Sequence, residues 1–293
     1  MFLNRDLQFF AKLAIVAAVS TILLKSLAYL LTGSVGLLSD AIESLVNLAT
    51  ALITLYSIKF SQEPEDDRHQ FGHSKIEYFS SLTEGFFIIG AGGAIILTGV
   101  QRLLNPTEIE NVGIGIAVSI LASLINAGAA FFMYRAAKKF NSIALQADAH
   151  HLMTDVYTSA GIVIGVILVS IFNIPMIDPI IAILVGLNII KTAGGLIYKS
   201  FHGLIDESVD EEELVEIRKI ITEQIDNKNI QYSLKSRVSG RVKFIYINLS
   251  IPDHWNIKET HNLTVIIEKN LKALDTEIRP FIHTEPESDF LHN

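Results

Sequence analysis

The 293-residue sequence contains no cysteine, which excludes disulfides and thiolate metal sites and leaves the redox compartment open. Positive charge is scarce as well. Lys and Arg together number 23 against 31 Asp and Glu, a formal net charge of -8, and no basic stripe interleaved with aromatics occurs. A nucleic-acid partner is therefore disfavoured. There is no internal repeat and no low-complexity tract. The acidic excess gathers in DESVDEEELVE (206–216), which reads as the solvated start of a helix. The apolar N-terminal stretch shows no convincing small-residue cleavage site. Lys25 and the continuing apolar run make it a first span rather than a signal peptide.

What the chain does have is long apolar runs. Hydrophobic residues make up 50% of it, and they gather in 11–32, 35–60, 79–104, 112–137, 142–172 and 174–197. About 20 apolar residues cross a bilayer as a helix, so each run is long enough. The lack of period-two alternation favours helices over a barrel. Arg5 and Lys12 precede the first run, Arg68 and Lys75 lie between the second and third, Arg135, Lys138 and Lys139 lie between the fourth and fifth, and Lys199 follows the sixth. The intervening connectors TGS, NPTEIEN and NIPMIDP hold no Lys or Arg. The positive-inside rule then places both termini in the cytoplasm.

From about residue 204 the pattern changes. DEEELVEIRKIITEQIDN is an amphipathic helix with acids in its first turn, where the helix dipole favours them. YSLKSRV and VKFIYINLSI alternate as strands around the turn SGR. NIKETHNLTVIIEKNLKAL is a second amphipathic helix, and TEIRPFIHTE a last strand. The order α-β-β-α-β suits a small α+β, ferredoxin-like domain with its helices on one face of the sheet. The expected division is a six-helix transmembrane domain over 1–203 and a cytoplasmic domain over 204–293.

Several polar residues fall where lipid is expected. The second run carries Asp40, Glu43 and Asn47, and the fifth carries Asp148, His151 and Asp155. Glu43 with Asn47, and His151 with Asp155, stand four residues apart, so each pair shares a helix face. A charge at bilayer depth costs about 2.5–3.5 kcal/mol even on the lenient insertion scale. One such pair is often only an interhelical hydrogen bond. Two, packed together, make a four-ligand cage. Glu43 and Asp155 supply two negative charges, which one divalent cation neutralises; an empty cage takes up protons instead. Imidazole, with a pKa of about 6.5, is the natural second proton acceptor. Lys25 and Asp40 read as an ion pair or a cavity lining. Glu84 and Asn126 read as polar packing or water-facing groups. His150 points about 100° away from His151 around the helix.

The connector DDRHQFGHSKIE supplies Asp66, His69 and His73. The spacing of the two histidines suits a pair on one helical turn and, with Asp66, a zinc-like ligand set; a solvated polar loop is the alternative. In the tail His261, His283 and Glu285 are scattered, as surface residues often are.

Taken together, SVGLLSDAIESLVN, HQFGHSKIE, the NP after the third run and QADAHHLMTD resemble the cation diffusion facilitator family of divalent-metal/proton antiporters. The resemblance covers nearly the whole chain. It implies a transport site on Glu43, Asn47, His151 and Asp155, where the family's zinc and iron exporters carry Asp-x3-Asp and His-x3-Asp. It implies a loop site on Asp66, His69 and His73. It also implies a cytoplasmic site that is depleted here: Tyr232 and Asn248 stand at positions of family histidines, while His261, His283 and Glu285 remain. The family further implies a homodimer joined through the cytoplasmic domains, with a charged interlock at Lys75, Asp206 and Arg237.

The expected function is export of zinc, iron or manganese from the cytoplasm across the inner membrane in exchange for protons, with no prosthetic group and no covalent chemistry. The partners are the metal, protons, the bilayer and a second copy of the chain. A metal-gated channel or receptor on the same bundle is one alternative. A membrane-embedded metalloenzyme is another, although the His-Glu-x2-His helix such enzymes use is missing.

Overall fold

The computed structural model describes residues 6–32, 35–104, 112–172, 176–226 and 228–290. The chain divides into two compact units, Met1–Phe201 and His202–Asn293.

The first unit consists of long helices: α1 (Leu7–Thr32), α2 (Val35–Ser61), α3 (Ile76–Leu104), α4 (Val112–Phe140), α5 (Ile143–Phe172) and α6 (Ile177–Leu204), the last running just into the second unit. Among the described residues four stretches are long and apolar enough to cross a membrane: Leu7–Ala28, Ile76–Leu104, Ala117–Phe140 and Pro179–Leu204. The sequence expectation was six. The two helices without such a stretch, α2 and α5, carry the intramembrane polar residues, and many of their side chains lie outside the described set.

Size sorting explains how the helices pack. The shared interior of α1, α2, α4 and α5 is built largely from alanines, including Ala14, Ala51, Ala130, Ala137, Ala144 and Ala149, around Phe10, Ile58, Met133, Leu145 and Leu152. Small side chains let backbones approach closely, the main source of association where lipid removes the hydrophobic drive between helices. The large apolar side chains Leu23, Leu27, Leu30, Leu124 and Leu184 point outward, Leu30 with 76% of its surface exposed. In water such a surface would be a liability; in lipid it is the expected finish. Along the seam of α3 with α6, Gly92 and Gly186 face one another. A Cβ at Gly92 would lie 3.2 Å from the Gly186 carbonyl oxygen, and one at Gly186 would lie 3.0 Å from that of Gly92.

The second unit contains α7 (Glu211–Ile225), β1 (Tyr232–Ser239), β2 (Val242–Ile251), α8 (Ile257–Leu274), β3 (Ile278–Pro286) and a short α9 (Glu287–Phe290). Its sheet has the order β1-β2-β3, with β1 antiparallel and β3 parallel to β2. Gly240, at φ 59°, takes the left-handed conformation that the β1–β2 turn requires. Ile245, Ile247, Leu249 and Ile251 alternate along β2 onto one face, and Ile217, Ile221, Ile267 and Leu271 of the helices cover them. Asn256 and Glu259 form a reciprocal capping box at the start of α8; Ala in place of Asn256 would cost ~1 kcal/mol. At the rim, Lys243 Nζ bridges Glu213 (2.6 Å) and Asp275 (2.9 Å).

Candidate functional site

The intramembrane residues converge. Asn47 on α2 faces His151 and Asp155 on α5, and these helices pack directly against one another. His151 Nε2 lies 2.6 Å from Asn47 Oδ1. A carbonyl oxygen only accepts, so the imidazole donates. The Asn47 amide nitrogen in turn donates to Asp155 Oδ2. One amide therefore joins a donor and an acceptor that sit one helical turn apart on the opposite helix. Thr50 and Thr158 each bond back to the carbonyl three residues earlier, those of Asn47 and Asp155, a local pattern that holds both ends of the contact.

Asp155 has a second donor, Asn126 Nδ2 on α4, at 3.2 Å. In the sequence Asn126 reads as polar packing or a water-facing group, its only signal being an amide inside an apolar helix. Glu43 sits one turn before Asn47 on α2, but its side chain, like that of Asp40, lies outside the described residues. His150 turns away from the cluster onto Tyr134 of α4, as the helical angle requires. Lys25 is buried within α1.

The loop residues also assemble, but not as a helical pair. Residues 66–73 form turns rather than helix. Asp66 Oδ1 accepts from the backbone N–H of Arg68 (2.8 Å) and of His69 (2.6 Å), and Gly72, at φ 80°, closes a turn onto the His69 carbonyl. The chain thus doubles back and brings the His69 and His73 ring centroids to 4.4 Å. Asp66 lies 3.1 Å from His69 Nδ1 and 3.4 Å from His73 Nε2. One ligand atom from each of the three falls within 4.8 Å of the others. The backbone N–H of His69, followed by its ring, holds the Asp66 carboxyl below the ordinary carboxylate range, so the group is anionic and ready to ligate near neutrality.

The tail residues do not form a comparable cluster. His283 Nε2 lies 3.3 Å from Glu285 Oε1, and Asn248 donates to the same oxygen at 2.9 Å. His261, on α8, is not brought within ligand reach of both; among the described residues Asp66, His69 and His73 are the only such trio of His, Asp or Glu. Asn248 spends its amide on the carboxylate that a metal would need. Tyr232 is partly buried against the domain core. Arg237 and Asp206 pair at 3.1 Å within the second unit. Lys75 belongs to the first unit, at the start of α3.

Comparison with known proteins follows the same division. Residues 11–205 match the family model described as the cation efflux transmembrane domain, and residues 209–287 the one described as the cation efflux protein, cytoplasmic domain. The chain is 40% identical over 280 residues to an uncharacterized transporter of Synechocystis sp., covering 96% of this chain and 90% of that one. It is 30% identical over 273 residues to the cation-efflux pump FieF of Citrobacter koseri, covering 93% and 90%. To the cation-efflux pump FieF of Shewanella oneidensis it is 29% identical over 283 residues, covering 95% of each.

Proposed function

We propose a mechanism for a chain that belongs to the cation efflux, or cation diffusion facilitator, family: it exports a divalent first-row metal in exchange for protons at a cage formed by Glu43, Asn47, His151 and Asp155. The chain is a multi-pass membrane transporter of metal cations, not an enzyme, and carries a cytoplasmic domain. The finer reading rests on one observation, the Asn47 amide held between His151 and Asp155 across α2 and α5.

That amide does for the metal-free cage what an ion does for the loaded one. It satisfies the imidazole N–H and the carboxylate together, so neither is left bare in a low dielectric. When an ion enters, the Asn47 carbonyl turns from the imidazole to the cation, and His151, an imidazolium in the metal-free cage, releases its Nε2 proton and ligates as neutral imidazole. Loading is thereby tied to proton release, and protonation from the far side expels the ion. Glu43 and Asp155 bring the loaded cage to neutrality. Three oxygen ligands and one imidazole fit zinc, iron or manganese. Alternating exposure follows from rocking of a bundle of six crossing helices, with both termini on the cytoplasmic side. Asp66, His69 and His73 hold a second ion at the membrane surface. The cytoplasmic domains pair two copies.

Reconstituted protein in sealed vesicles tests this reading. Metal entry should raise lumenal pH, and an opposing pH gradient should slow it. Metal flux indifferent to the pH gradient would instead identify a channel.

A further inference from the structure

Polar side chains recur at close to seven-residue intervals along the helices that meet at the cage. On α2 they are Asn47, Thr54 and Ser61; on α3, Glu77 and Glu84; along α5, Ser142 just before the helix, then Asp148 and Asp155. Seven residues are nearly two turns, so each set keeps to one face with layers about 10.5 Å apart along a helix. Apart from Asp155, all of them are buried.

Cross-helix bonds mark the layers. In the cage layer Asn47 meets Asp155. In the lowest layer Glu77 accepts from Ser61 (2.8 Å) through one oxygen and from Ser142 through the other, so both of its carboxylate oxygens are satisfied by hydroxyls. The middle layer differs. Thr54 donates to Glu84 Oε1, but among the described residues Glu84 Oε2 and both oxygens of Asp148 have no hydrogen-bond partner, although Glu84 is 0% and Asp148 1% exposed. Glu84 on α3 and Asp148 on α5 stand on helices that pack directly against one another.

Two buried carboxylates with three unsatisfied oxygens are costly unless something positive lies between them. The lowest layer gives one buried carboxylate two hydroxyl donors, whereas the middle layer gives two carboxylates one. We infer that Glu84 and Asp148, with the Thr54 hydroxyl, bind a divalent cation in a second intramembrane site two turns from the cage, on the side of the 66–73 loop. The ligands are oxygens without nitrogen, and the two negative charges match one dication. The site therefore takes a hard, oxygen-seeking ion such as Mn2+ in preference to a nitrogen-seeking one. Its role as a station on the path of an exported ion rests on the transport reading above; its binding of a cation does not.

The test is calorimetric titration of the purified full-length protein with Mn2+, in a background of Asp155→Ala and His69→Ala that disables the cage and the loop. The background should retain a site that Glu84→Gln or Asp148→Asn removes or weakens by at least tenfold, the lower end of the ~10–100-fold scale for disturbing a metal site. Glu84→Gln preserves shape and decides the matter alone if Asp148→Asn does not fold, with melting temperature as the check. Mn2+ uptake unchanged by Glu84→Gln would overturn the inference. A fault in the transport reading shows elsewhere: full vesicle transport by Asp155→Ala removes the cage and leaves this titration unaffected.

Discussion

Ile245 of the cytoplasmic unit and Asp148 of the helical unit are almost equally hidden, at 0% and 1% exposure. One is a branched hydrocarbon among Ile217, Ile221, Ile267 and Leu271; the other is a carboxylate without a hydrogen-bond partner among the described residues. In the cytoplasmic unit charges stay at the rim, where Lys243 bridges Glu213 and Asp275. In the helical unit leucines such as Leu23, Leu27 and Leu30 face outward, and alanine, asparagine and carboxylate are among the groups inside. The solvent makes the difference. Water expels apolar surface and so fills an interior with it. Lipid exerts no such pressure, and the bundle is held by close packing and hydrogen bonds instead. Its interior is consequently free to hold the polar groups that chemistry needs.

Substitutions that strike one interior and spare the other put this contrast at risk. The largest effect is expected from Asp155→Ala. Vesicle transport should fall by about 100-fold or more, beyond the ~10–100-fold typical of disturbing a group that merely supports a ligand. The cytoplasmic unit should melt unchanged. Unaltered flux would remove Asp155 from the site.

Ile245→Ala should do the reverse. It should destabilise the cytoplasmic unit by about 2–5 kcal/mol, the usual cost of emptying such a position, as read by urea unfolding followed at Trp255, which packs against that core. Asn47→Asp comes next. An aspartate cannot donate to Asp155, so two carboxylates face each other in the metal-free cage. Relative affinities for zinc, iron and manganese should change by about tenfold, or ~1.4 kcal/mol. Identical selectivity before and after would argue against ligation by residue 47.

Lys243→Met should cost ~1 kcal/mol: Lys243 is buried, but solvent reaches Glu213 and Asp275, so neither carboxylate is left bare once the ammonium is gone. Its pH dependence has a definite sign. Burial pushes the Asp275 carboxyl up, but the Glu277 N–H and the Lys243 ammonium hold it below the ordinary carboxylate range. Burial pushes the Lys243 ammonium down, but Glu213 and Asp275 raise it above the ordinary lysine range. The stabilisation is therefore whole between those two ordinary ranges. It is lost as pH falls through the lowered value of Asp275 and as pH rises through the raised value of Lys243. In Lys243→Met the alkaline loss should vanish from the stability profile. The smallest effect is expected at the lipid face, where Leu23→Ala should stay within about 0.5 kcal/mol of the parent.

The cytoplasmic unit was legible in the sequence because its interior follows simple periods. The alternation of VKFIYINLSI marks β2, and the strand bounds at Tyr232 and Val242 coincide with the observed ones. The four-residue spacing of His151 and Asp155 was equally readable, since a helix fixes which side chains share a face. Asn126 was not, because its partner lies on another helix and no local spacing points to it. The layer of Glu84 and Asp148 escaped for the same reason; only helix packing sets their residues side by side. The loop misled in a different way. A four-residue gap between histidines looks helical, but Asp66 capping two backbone N–H groups and the left-handed Gly72 build a turn that does the same work.

The facing glycines of α3 and α6 bear on how the transporter moves. At Gly92 and Gly186 a Cβ would meet both the facing glycine's carbonyl and the side chains of Ile96, Ile189 and Ile190, so the close approach leaves little room for one helix to slip past the other. The Ser81–Ser200 bond pins the same seam further along. On the alternating-access reading proposed above, these two helices should tilt together as a single plank, leaving the flexing to the joints around it.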